Sequence, residues 1–206
     1  MSHLIVKEQK TIIRNAFFTF LYFTLAIGLA IGILYTDIFY LQNMIEEESL
    51  VEYTQSLSLT ILTLMFSRHA YRSPQWRGGF VLITGFFLCM LIRESDAIFD
   101  NLIRHGSWAY FAITTALVCI IYAFTHRQST IDGLAQFAKQ KEFHSFIIGL
   151  LTVLLASRLI GYGGLWRFIL YNDYPHVVKN IIEETTELFG YLIMLFSCLS
   201  LTRHFK

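Results

Sequence analysis

Three pairs of acidic residues stand one helical turn apart: Glu48 and Glu52, Asp96 and Asp100, Glu183 and Glu187. On a regular helix, residues four apart share a face. Glu94 and Glu184 accompany them, and Arg93 and Arg158 supply guanidinium groups within otherwise apolar stretches. Counting Glu52, Glu94, Asp96, Asp100, Glu183, Glu184 and Glu187 against those two arginines leaves a formal excess of five negatives. Arginines can neutralise two of the carboxylates through paired hydrogen bonds. The remaining excess invites a bound cation, carboxylates that hold their protons more tightly than usual, or both. The sharpest version is a divalent metal held by Asp96, Asp100, Glu183 and Glu187, because magnesium, calcium and manganese prefer oxygen ligands.

Other chemistries have less to stand on. Zinc favours His or Cys, and the candidates at this depth, His105 and His176, fall in loops or at helix ends, where solvated histidines are the commoner outcome. A hydrolase built from a metal, Asp100 and His105 would lack a G-x-S-x-G nucleophile motif. His69, His126 and His204 have no facing mid-helix partners with which to hold haem. No phosphate-loop signature occurs. Cys89, Cys119 and Cys198 all lie in apolar runs and read as small buried hydrophobes.

The elements that must position these charges are membrane helices. Of 206 residues, 55% are hydrophobic and only 15% charged, against about a quarter charged in a soluble domain. The mean hydropathy is +0.52. The composition predicts an all-α bundle forming a single integral membrane domain over residues 1–206. Its helices are expected near 15–37, 52–68, 79–100, 107–126, 143–166 and 181–202, with a short surface-lying helix over 128–142, where Ile131, Leu134, Phe137 and Ala138 recur at helical spacing. The uncharged run 15–36 is 22 residues long, beyond the ~7–15 of a signal-peptide core, and is read as a retained span. Pro74 and Pro175 both fall in expected loops.

Eleven of the sixteen Lys and Arg residues fall on one side of this arrangement, which predicts cytoplasmic termini. Runs free of Asp, Glu, Lys and Arg then expose a discrepancy. They reach 22 residues in the first and fourth spans but only 15 in the second, third, fifth and sixth. Fifteen residues cover about 22 Å, short of a ~30 Å hydrocarbon core. In all four spans the shortfall lies toward the outer face, at Glu52, Arg93 to Asp100, Arg158, and Glu183 to Glu187. Charges at that depth cost several kcal/mol unless paired or hydrated, so they should meet in the bundle interior. Arg158 and Glu187 carry this reading best, since the apolar runs continue beyond them, over Leu159 to Leu165 and Leu188 to Phe196. The opposing view is that the helix ends shift outward and the charges reach the interface separately. Gly161, Gly163 and Gly164, just after Arg158, either admit close approach to the backbone or end the helix.

The segments Glu46 to Gln55, Ile92 to Asp100 with His105–Gly106–Ser107–Trp108, and Glu183 to Tyr191 resemble those of a loose group of small bacterial inner-membrane proteins, over most of the chain. The resemblance implies a six-helix fold in a bacterial cytoplasmic membrane and adds nothing about chemistry. Ceramidase-like hydrolases differ, because the last span here carries glutamates where their late His-x-x-x-His pair would stand.

Three functions are compatible with these residues. The first is an outward-facing carboxylate and arginine pocket for a cation or polar headgroup. The second is a proton- or cation-coupled transporter, although almost no ionisable residue continues a path through the inner half. The third is a sensor or pore-forming subunit of a stress or defence complex, in which a homo-oligomer would surround a shared pore. The lipid bilayer is the expected partner. With a net charge of +1 and no basic tract, nucleic acid is not.

Overall fold

The computed structural model describes residues 2–42, 49–169 and 176–201, and among them every regular element is helical. Helix α1 (Ser2–Tyr35) runs directly into a π-helical turn (Thr36–Tyr40). Helices α2 (Leu50–Arg72) and α3 (Arg77–Glu94) follow, joined by a 3-10 turn that opens on Pro74. Then come α4 (Asp96–Leu102), α5 (Trp108–Thr125) and α6 (Arg127–Ala138). Helix α7 (Phe143–Leu151) passes through a second π turn (Thr152–Ala156) into α8 (Ser157–Ile160). Two more helices, α9 (Gly163–Ile169) and α10 (His176–Leu201), complete the order. Glu48 and Pro175 lie outside the described residues.

Among the described residues four helices are long and apolar enough to cross a membrane: Gln9–Tyr40, Pro74–Glu94, Trp108–Thr125 and Phe143–Ile160. Their surfaces call for lipid as solvent. Ile12, Phe17, Phe20 and Ile31 of α1, and Ile113, Leu117, Val118 and Ile121 of α5, all stand exposed, which a water-soluble chain would not tolerate as a continuous face.

Helices α2 and α10 are more polar, and packing explains why. Helix α10 lies among α1, α2 and α7, while α2 lies between α10 and α3, which in turn carries α5 and α6. The polar residues of α2 turn inward: Gln55 and Ser58 are fully buried. Thr54, Ser58, Thr60 and Thr63 each donate a hydroxyl hydrogen bond to the carbonyl four residues earlier, so none brings an unmet donor into the interior. Ser49 caps its first turn, its hydroxyl accepting from the Glu52 amide at 3.2 Å.

Three expected elements differ from those observed. The third helix stops at Glu94 instead of residue 100. The Ser95 hydroxyl donates back to the Leu91 carbonyl, the Asp96 carboxylate accepts from the Ala97 amide, and a new short helix starts there. The fifth helix does not run unbroken over 143–166: it continues through the π turn to Ile160 and breaks at Gly161. The expected surface helix exists, over Arg127–Ala138, with Thr130, Gly133 and Phe137 as its buried residues and Ile131 exposed. It packs on the start of α3, where side chains at Gly79 and Gly133 would collide with the opposing backbone. Close backbone approach, not the apolar spacing of Ile131 and Leu134, sets its orientation.

Candidate functional site

The charges of α3, α8 and α10 converge at one end of the bundle. Arg158 spreads its fork over two carboxylates, with Nη1 at 2.6 Å from Glu183 and Nη2 at 2.5 Å from Glu187. Sequence reading anticipates bidentate pairing, and the geometry is instead a bridge. The π turn before α8 sets this placement. An extra residue in the helical repeat rotates all that follows, and such bulges recur at functional sites. Here it delivers the buried Ser157 hydroxyl to within 3.2 Å of the same Glu187 oxygen. Lys179, one turn before Glu183, reaches its second oxygen at 3.0 Å.

Gly161 sits where a Cβ would strike the Glu183 carboxyl. Its φ of −73° lies in the ordinary helical region, so alanine meets no backbone obstacle there and the collision is the whole effect. Gly161→Ala is expected to cost about 1–3 kcal/mol of stability in detergent unfolding, and much less in a Glu183→Ala background, where the opposing carboxyl is gone. Equal costs in the two backgrounds would place the glycine's role elsewhere.

Arg93 behaves differently. Its Nη2 stands 3.9 Å from both Glu94 and Glu187, and its side chain is 48% exposed. Those distances allow attraction without a hydrogen bond. The Glu94 side chain is 7% exposed, and among the described residues Arg93 is its one ion-pair partner. Glu94 also feels Glu187, Glu184 and Glu52 electrostatically. The Glu184 carboxylate accepts from Gln55 Nε2 at 3.1 Å, and the same amide donates to the Glu184 carbonyl at 2.9 Å. Among the described residues of this cluster five carboxylates (Glu52, Glu94, Glu183, Glu184, Glu187) stand with three cations (Arg93, Arg158, Lys179), a formal excess of two negatives.

Asp96 and Asp100 do not join them. The break at Ser95 carries both onto α4, where the Asp96 carboxylate accepts from the amide of the next residue, Ala97. Asp100 locks the following turn: its two oxygens take the His105 ring nitrogen at 2.5 Å and the Gly106 amide at 2.8 Å, with Gly106 at φ +77°. The four-carboxylate metal set is therefore not assembled. Among the described residues no group of three or more His, Cys, Asp or Glu could hold a metal ion. His176 opens α10, and its side chain is exposed.

Two buried polar groups escape sequence reading. Asp37, in the first π turn, is wholly buried and accepts from the Val51 amide at 3.2 Å, at the start of α2. A carboxylate suits that helix N-terminus. Its Oδ1 has no partner among the described residues, and neither has Gln55 Oε1. A signal for Asp37 did exist: Ile38, Phe39, Tyr40 and Leu41 resume the apolar run beyond it, as Leu159 and Ile160 do beyond Arg158.

No protein family, curated protein or solved structure matches this chain.

Proposed function

We propose that the chain crosses a bacterial cytoplasmic membrane six times, with both ends inside, and that the glutamate and arginine cluster at its outer end binds a small cation or the cationic part of a polar headgroup. Six crossings follow if α2 and α10 join the four apolar spans. At 23 and 26 residues they are about 34 and 39 Å long, enough for the hydrocarbon core, and their polar groups are turned inward. The positive-inside bias then puts the cluster outside.

Glu94 carries the binding proposal. A nearly buried carboxylate, facing other carboxylates and, among the described residues, ion-paired only with a guanidinium 3.9 Å away, is an incompletely met acceptor. An alkylammonium or alkali cation seated between Glu94 and Glu187 would replace Arg93, whose half-exposed side chain is free to move aside. Arg158 is already committed to two carboxylates and acts as the fixed wall of the site.

A one-sided site fits better than a transport path. Two turns from the cluster along α2, α3 and α10, Leu62, Phe87 and Met194 join Phe66 and Phe146 in an apolar core that a cation path would have to cross. Calorimetry of the purified protein with ethanolamine, tetramethylammonium and sodium, added as chlorides, tests the reading. At least one should bind, and Glu94→Gln should weaken it about 10- to 100-fold, the loss of one charge-assisted contact. Absence of binding by all three, or equal binding by Glu94→Gln, removes the proposal. Net cation uptake into proteoliposomes would replace it with transport.

A further inference from the structure

The glutamate and arginine cluster has a floor as well as walls. Tyr191 follows Glu187 by one turn of α10, so the two share a face. Side chains of a helix lean toward its N-terminus, and the charged residues of the cluster occupy the first half of α10. The Tyr191 hydroxyl is thereby carried toward Glu187. Glu94, Glu187, Arg93 and Arg158 all act on it electrostatically. The ring packs in the central apolar core, and the whole residue is 2% exposed. Yet the hydroxyl forms no hydrogen bond with any described residue. A buried tyrosine hydroxyl normally finds a partner. This one is an unmet polar group beneath an excess of carboxylate.

We infer that the cluster selects a primary ammonium group, whose three N–H bonds go to the Glu94 carboxylate, the Glu187 carboxylate and the Tyr191 hydroxyl oxygen. The inference presupposes that Glu94 and Glu187 bind a cation, and narrows which cation. A primary alkylammonium carries three donors, and three acceptors stand together here. The tyrosine hydroxyl can accept from the ligand while giving its own proton to a carboxylate oxygen. Each N-methyl group removes one donor and sets a methyl against a buried oxygen, so a quaternary ammonium leaves all three acceptors unmet. Aromatic faces favour the opposite choice, since they hold quaternary ammonium groups. Here the ring is packed in the core, and its oxygen rather than its face meets the ligand.

Calorimetry of the full-length protein in detergent with ethanolamine, N-methylethanolamine, N,N-dimethylethanolamine and choline tests this. Affinity should fall with each added methyl, leaving choline at least about tenfold weaker than ethanolamine, the worth of one charge-assisted hydrogen bond or more. Tyr191→Phe keeps the ring and removes the oxygen. It should weaken ethanolamine about tenfold and choline by less than about twofold, with the thermal midpoint unchanged. Dihexanoyl phosphatidylethanolamine, offered beside ethanolamine, separates the two sources of the group. Tighter binding of the lipid makes a headgroup the occupant and tighter binding of ethanolamine a free amine, and either agrees with the inference. Choline binding as tightly as ethanolamine, or Tyr191→Phe weakening both alike, would overturn it while leaving a cation site in place. Binding by none of the four amines would remove the cation site itself, and the inference with it.

Discussion

Replacing Arg158 by alanine should be the most damaging single change in the cluster, costing about 3 kcal/mol in unfolding from mixed micelles, and Glu187→Gln in the same chain should restore part of that loss. Arg158 supplies the closest cation to both Glu183 and Glu187, and the Glu187 side chain is only 1% exposed. Removing one partner of a buried pair strands the other, which costs about 3–5 kcal/mol where water is excluded. The Arg158 side chain is 44% exposed, so water shares its solvation and the lower end applies. Glu183 keeps Lys179 at 3.0 Å, whereas Glu187 falls back on Ser157 and the distant Arg93. The stranded charge is therefore chiefly that of Glu187. Glutamine there removes the charge and keeps an oxygen for the Ser157 hydroxyl. The double variant should be more stable than Arg158→Ala alone, with a coupling of about 1–3 kcal/mol. Simple addition of the two single costs would mean that the pair is a surface contact, and the cluster would lose its claim to be an interior site.

That outcome bears on how much of the site could be read from the chain itself. The meeting of Arg158 with Glu187 was legible because charge beside apolar sequence is costly unless paired: apolar runs continue beyond both, and the structure joins them directly. The lateral placement of Asp96 was not. Asp96 has the same apparent depth as Glu94, but a two-residue separation across Ser95 sends it to another helix, and only the hydrogen bond from Ser95 to Leu91 reveals the break. The π turn over Thr-Val-Leu-Leu-Ala carries no compositional mark, yet it sets the rotation of Ser157 and Arg158. Asp37 was passed over because a charge at the end of an apolar run looks like the edge of the membrane. Gln55 is neutral and so left no trace in a reading based on charge. For the fold, α2 is instructive. Its inward-facing hydroxyls lower its hydropathy below that of the four apolar spans, although α2 contributes more buried residues to the central core than α3 does.

The largest purely structural effect is expected at Phe66. This ring, 2% exposed, lies parallel to Phe87 at 5.6 Å and meets Phe137 and Phe146 edge-on at 5.5 and 5.9 Å. It thereby ties α2 to α3, α6 and α7 at one point. Between membrane helices the association energy comes mainly from packing, because the lipid alternative is as apolar as the core. Truncation to alanine removes dispersion contacts on all three sides and leaves a cavity, for which aromatic-to-alanine changes cost about 3–5 kcal/mol. The lower half of that range applies here, since the transfer part of the usual cost is small when lipid is the solvent. Leu64 on the same helix is 62% exposed, and Leu64→Ala should stay within about 0.5 kcal/mol of wild type. Phe66→Leu should fall between them. The comparison separates interior packing from bulk hydrophobicity: similar losses at Phe66 and Leu64 would mean that α2 is lipid-facing there, and the arrangement of α2 between α3 and α10 would then have to be redrawn.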